Sequence, residues 1–218
     1  MVIWMAMEVK YKSNYINNIF FLTEITSLKI LFFMHLIFSV LIVYFLRFSI
    51  KRAILIIVVI NLTIFIGQYI KYWIKNTVKE PRPYTFWIKE KQNFIKKNKF
   101  LEKKTINIKN KISIFDKKLP YWLKHQSMLK NDFSFPSGHA IFSTIWFLFF
   151  IELFSKKKYI KTIIYLFCWT NTIIISRILL GMHWPWDVIV SIIIAFLLVL
   201  IAIKLIMFID NKFLLKED

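Results

Sequence analysis

Three short stretches carry the residues whose types and spacing can do chemistry. "KNTVKEPRP" sets Lys75 and, after six intervening residues, Arg82 and Pro83. "FPSGHA" holds Pro136, Ser137, Gly138 and His139. "SRILLGMHWPWD" holds Ser176, Arg177, His183 and Asp187. Lys75, Arg82 and Arg177 would be three cations on one site. That suits a phosphate, whose transferring oxygens carry charge in the transition state. Arginine offers a planar fork for two oxygens, while lysine acts as a point charge. Pro-Ser-Gly-His opens a helix, where free backbone N–H groups and the helix dipole favour an anion. Gly138 lets the backbone approach closely, and Ser137 adds a hydroxyl donor.

His183 and Asp187 are four apart, one turn along a helical face. Pro185 falls in the first turn, where proline is tolerated. The carboxylate can hold one imidazole nitrogen, aim the other at phosphorus and stabilise the positive charge that forms on attack. His183 is therefore the candidate nucleophile, forming a phosphohistidine. His139 can protonate the leaving oxygen and then take a proton from water. The sequence shows no carboxylate cluster for two metals, so no metal cofactor is expected.

Each piece alone has a plainer reading. Lys75 could be an interfacial anchor and Arg82 a headgroup contact. Pro-Ser-Gly-His could be an N-cap with a turn. A His–Asp pair at this spacing is often only a local hydrogen bond, and Ser176 could simply pack against a neighbouring helix. It is the ordered presence of all three stretches that points to a site.

The elements that must position them are membrane spans. Of 218 residues, 58% are hydrophobic, gathered into long runs, and the mean hydropathy is +0.57. This reads as an integral membrane protein, a single domain over residues 1–218. Apolar runs predict spans at 28–46, 53–74, 140–154, 162–180 and 188–209. The fold class is thus all-α, a bundle of about five transmembrane helices. The turns "RFSIKR" and "SKKKYIK" are basic and are expected on the cytoplasmic side. The stretch 75–135 then faces out, as a cap of helices packed over the membrane surface. Residues 1–27 would lie outside too, with Ile19 to Leu22 dipping into the interface. No span separates the first stretch from the second, and two separate the second from the third. All three therefore reach the same face. The third span has only 15 residues, about 22 Å of helix, which sets His139 near headgroup depth. A lipid could offer its phosphate there from the side.

The formal charge of +19 could suggest nucleic acid. It is better explained by a chain rich in Ile, Asn, Phe and Lys resting on anionic headgroups, so no nucleic-acid partner is expected. Cys168 is the lone cysteine and forms neither an intramolecular disulfide nor a zinc site. "MVIWMAMEVKYK" is too short an apolar run for a signal peptide, and Glu8 interrupts it. There is no internal repeat, and 3 Gly and 5 Pro leave no flexible linker. His35 reads as a packed neutral histidine, Gln68 and Asn61 as bonds between helices, and Trp184 and Trp186 as interface anchors beside the site. His125 is a loop residue with no evident partner.

Lys-x6-Arg-Pro, Pro-Ser-Gly-His and Ser-Arg-x5-His-x3-Asp resemble the three signatures of the type 2 phosphatidic acid phosphatase superfamily, over roughly residues 28 to 210. The resemblance implies hydrolysis of a lipid phosphate monoester or pyrophosphate, with phosphatidylglycerophosphate and undecaprenyl pyrophosphate as candidate substrates. It implies the same roles for His183, His139 and Asp187, and phosphate binding by Lys75, Arg82, Ser137, Gly138 and Arg177. It also implies a bacterial inner membrane, with the site facing the periplasm. That family usually has six membrane helices, the first near the N-terminus, whereas five spans are read here. Vanadate haloperoxidases share the pocket but are soluble, against which the spans weigh. A non-catalytic lipid carrier would carry a damaged pocket, and none of these residues is replaced. Oligomeric state is not readable from the sequence.

Overall fold

The computed structural model describes residues 28–46, 49–90, 93, 133–154 and 159–210. Among them the regular structure is helical: α1 (Leu28–Leu46), α2 (Ile50–Val78), α3 (Gly138–Phe154), α4 (Ile160–Leu179) and α5 (Pro185–Ile209). Residues 83–90 add a short helical stretch. The all-α membrane bundle expected from the apolar runs is what the chain forms. The helix from Ile50, α4 and α5 are long and apolar enough to cross a membrane, while α3 is shorter. The helices of the last four spans overrun their apolar windows at most ends. The charged flanks Lys51, Arg52 and Lys75 remain helical, which a hydropathy window cannot see. Helix α2 ends at Lys79, which takes a left-handed conformation (φ 53°) and returns its N–H to the Lys75 carbonyl.

Helix α3 is the hub, packed against α2, α4 and α5. Ile141, Ile145, Trp146, Phe149, Phe150 and Phe154 are all fully buried. A helix apolar on every face belongs inside a bundle, which accounts for a sequence with no polar stripe. Gly67 of α2 sits where a Cβ would lie 2.9 Å from Ile141 Cγ2, so the small residue lets the two helices approach. Helix α1 packs from outside, inserting Phe38 against Trp146, Phe150 and Trp169. The outward faces are apolar as well, with Phe65, Tyr69, Ile193 and Ile201 exposed. A polar solvent would penalise such a surface, and hydrocarbon does not.

The ends of α2 and α4 and the starts of α3 and α5 lie at one end of the bundle, as the span parity requires. At the opposite end, Arg52 of α2 pairs with Asp210 beyond α5 at 2.8 Å. Of the expected cap over 75–135, Lys75–Val78 prolong α2 and 83–90 are helical; residues 94–132, with His125, lie outside the described residues. So do residues 1–27 and the tail from 211.

Candidate active site

The first and third sequence stretches are joined directly, and each is tied to the second through residues immediately flanking the motifs. Lys75 Nζ, in the last turn of α2, donates to the Phe133 carbonyl at 2.7 Å, and Ser134 N–H donates to the Glu80 carbonyl at 2.8 Å. The Ser137 N–H at the mouth of α3 donates to Ser191 Oγ of α5 at 2.8 Å. Arg82 Nη1 donates to the Met182 carbonyl at 3.2 Å, and Tyr84 N–H to the Gly181 carbonyl at 3.1 Å. Gly181 turns the chain out of α4 at φ 62°, a conformation that a side chain would strain.

His183 and Asp187 form the centre. Nδ1 of His183 lies 3.4 Å from Asp187 Oδ2, with the histidine 4% exposed and the aspartate fully buried. Asp187 is itself held, since Oδ2 accepts the Trp184 N–H at 2.8 Å as part of a capping box on α5. The carboxylate thus faces Nδ1, leaving Nε2 as the nitrogen turned elsewhere. Burial pushes the His183 pKa well below its ordinary 6.5, and the charges of Arg82, Lys75, His139 and Arg177 push it further the same way. The predicted cations and the second imidazole are the groups whose fields converge on this ring. An uncharged imidazole is the form that can attack phosphorus.

Arg82 and Arg177 are each only 6% exposed. Burying cations is costly unless acceptors meet them, and an anionic ligand is the strongest acceptor available. Arg82 donates to the Met182 carbonyl, and Arg177 lies 3.0 Å from the Met182 sulfur. His139 opens α3 half-buried. Ser137 is more constrained than its sequence suggested. Its Oγ accepts the Ala140 N–H at 3.4 Å as a helix cap, while its own N–H is held by Ser191. A Cβ on Gly138 would lie 2.6 Å from Lys71 Cδ, so the lysine side chain would have to shift to admit one. The Ser176 hydroxyl donates to the Ile173 carbonyl of its own helix at 2.7 Å rather than to a neighbouring helix.

Several neighbours of the site were not singled out from sequence. Ser191 bridges Ser137 to the Asp187 carbonyl. Its position one turn after Asp187 was the available signal. Lys71, one turn before Lys75, bonds Gln68 at 2.7 Å, and Gln68 reaches the Gly138 carbonyl at 3.1 Å. Gln68 therefore bonds between helices as expected. Asn61 does so with His35, and also bonds the Ile57 carbonyl of its own helix. The His35 ring packs 5.2 Å from Trp146. Glu80 contributes through its carbonyl to Ser134 and through Oε1 to Trp186, and nothing in its spacing announced that. Among the described residues, no group of three or more His, Cys, Asp or Glu side chains is arranged to hold a metal ion.

The bundle end thus sets a buried imidazole facing a carboxylate within the fields of Lys75, Arg82, His139 and Arg177. The family model of the PAP2 superfamily matches residues 32–209, and the chain belongs to that superfamily as a lipid phosphatase. Among curated proteins it is similar to phosphatidylglycerophosphatase B of Escherichia coli (strain K12), 35% identical over 171 residues that cover 77% of this chain and 67% of that protein. Phosphatidylglycerophosphatase B of Haemophilus influenzae is 27% identical over 187 residues, covering 83% of this chain and 77% of its own length.

Proposed function

We propose that the chain removes the terminal phosphate of phosphatidylglycerophosphate through a phosphohistidine, as a single-domain, multi-pass protein of a bacterial inner membrane with its site on the periplasmic face. His183 Nε2 attacks phosphorus in line with the ester oxygen. The P–O bond breaks, and His139 gives that oxygen its proton. Asp187 holds the imidazole and balances the positive charge it gains. Lys75, Arg82, Arg177 and the N-terminus of α3 at Ser137 and Gly138 carry the charge on the non-bridging oxygens. His139 then takes a proton from water, which attacks the phosphohistidine and releases inorganic phosphate and His183. No metal is required, because the fixed cations do the neutralising.

The observation that carries this reading is His183, buried, held neutral and facing Asp187 within the fields of Lys75, Arg82, Arg177 and His139. The similarity to proteins named phosphatidylglycerophosphatase B supports that substrate. Undecaprenyl pyrophosphate presents the same terminal phosphoryl group, so the same residues would serve it. Helix α3, with 17 residues, spans about 25 Å against a hydrocarbon core of about 30 Å, which supports a site near headgroup depth. Phosphate release is to be measured in detergent from long-chain phosphatidylglycerophosphate and a polyprenyl diphosphate, side by side. Release from the first, unaffected by a chelator and abolished in His183→Ala, is the expected result. Turnover retained by His183→Ala would refute the assignment.

A further inference from the structure

The segment carrying Arg82 and the turn carrying His183 have no secondary structure in common, yet hydrogen bonds run between them along their length. Tyr84 N–H reaches the Gly181 carbonyl at 3.1 Å, and Arg82 Nη1 reaches the Met182 carbonyl at 3.2 Å. Trp184 Nε1 reaches the Pro81 carbonyl at 3.2 Å, and Trp186 Nε1 reaches Glu80 Oε1 at 3.2 Å. The two indoles are stacked, their centroids 5.0 Å apart and their planes 7° from parallel, and Phe86 packs its edge on Trp184 at 6.0 Å. Two of these bonds come from indole N–H groups, which donate in one direction only. Trp186 is 49% exposed, so a partner there is not demanded by burial. Glu80 is immediately followed by Pro81, whose ring removes backbone freedom just before Arg82. The Glu80 carbonyl is also fixed from the other side by Ser134 N–H, one segment before Ser137.

We propose that Glu80, Trp184 and Trp186 are positioning residues that clasp the Arg82 segment onto the His183 turn, so that the guanidinium and the imidazole meet the same phosphoryl group. This rests on the phosphatase reading above. None of the three has to touch substrate. Their effect passes through the placement of Arg82, whose fork tolerates little misalignment at a phosphate. Interface anchoring, the plainer role for exposed tryptophans, requires the indole body but not a bond from its N–H to Glu80.

The test uses the full-length protein in detergent and reads two quantities, kcat/KM on phosphatidylglycerophosphate and the inhibition constant of orthovanadate. Trp186→Phe keeps the aromatic ring and loses the N–H, while Glu80→Ala loses the acceptor. Each is expected to weaken vanadate binding and lower kcat/KM by about 3- to 10-fold, the loss of one hydrogen bond. The double variant is expected to be no worse than either single one, because both remove the same bond. Glu80→Gln keeps the Oε1 acceptor and should recover most of what Glu80→Ala loses. Vanadate affinity and kcat/KM unchanged in Trp186→Phe and Glu80→Ala, with only the melting temperature lowered, would overturn the proposal and leave a structural bond. Fully additive losses would overturn it too. If the wild-type protein itself releases no phosphate and binds no vanadate, the phosphatase reading fails first.

Discussion

The two ends of the bundle hold charge in different ways. At one end Arg82, Arg177, His183 and Asp187 are all nearly or fully buried, and hydrogen bonds cross between segments distant in the chain. At the other end a described charge pair is Arg52–Asp210, with the Arg52 side chain 46% exposed and Asp210 largely buried. The second arrangement ties the start of α2 to the end of α5 and asks for no ligand. The first concentrates buried arginines around the His183 imidazole, an arrangement that favours an anion. Buried cations gathered around an imidazole mark the proposed working end, and a half-exposed arginine paired with an aspartate marks the opposite one.

If that contrast holds, substitutions at the two ends should separate activity from stability. His183→Ala should reduce turnover by roughly 10³-fold or more, measured as phosphate release, without lowering the melting temperature of the apo protein. Asp187→Asn keeps the shape and loses the charge facing Nδ1, and should cost roughly 10²- to 10⁴-fold in kcat. Arg177→Lys keeps charge and loses the fork, so kcat/KM should fall roughly 10- to 100-fold, with weaker vanadate inhibition. Arg52→Ala should leave kcat/KM within about twofold and lower stability by about 1 kcal/mol, discounted for its exposure. A large loss of turnover in Arg52→Ala would erase the distinction between the ends.

The smallest expected effect is a pH dependence. In the unfolded chain His183 gains a proton near its ordinary 6.5, while in the folded chain its lowered pKa keeps it neutral. It therefore contributes nothing to stability above that pH, and stability declines as pH falls below it. The melting temperature of the wild type should drop more between pH 7 and 5 than that of His183→Gln. Inorganic phosphate, by supplying an anion, should flatten the difference.

Much of the site was legible because its chemistry depends on residue type and short spacing. Lys75, Arg82, Arg177, His139, His183 and Asp187 could be gathered by counting spans, since parity alone puts helix ends on one face. Ser137 was legible as a site residue, but its geometry was not. Whether its N–H faces a ligand or Ser191 depends on how α5 packs on α3, and no local pattern encodes that. The Glu80–Trp186 bond was hidden for the same reason, joining residues 106 positions apart. Helices α2 and α4 overran their windows because flanking Lys51, Arg52, Lys75 and Lys161 are good helix formers that hydropathy scores as breaks, while α3 and α5 begin earlier, at the motif residues Gly138 and Pro185. The short third span was visible, but its place as the buried hub was not, because an all-apolar helix looks the same whether lipid or protein surrounds it.

The most direct measurement is an acid-labile, base-stable phosphoenzyme trapped by rapid denaturing quench with phosphorus-labelled phosphatidylglycerophosphate. Label is expected in the wild type, more of it in His139→Ala if the second step slows more than the first, and none in His183→Ala. Label that persists in His183→Ala, or hydrolysis by that variant at the wild-type rate, would contradict His183 as the nucleophile.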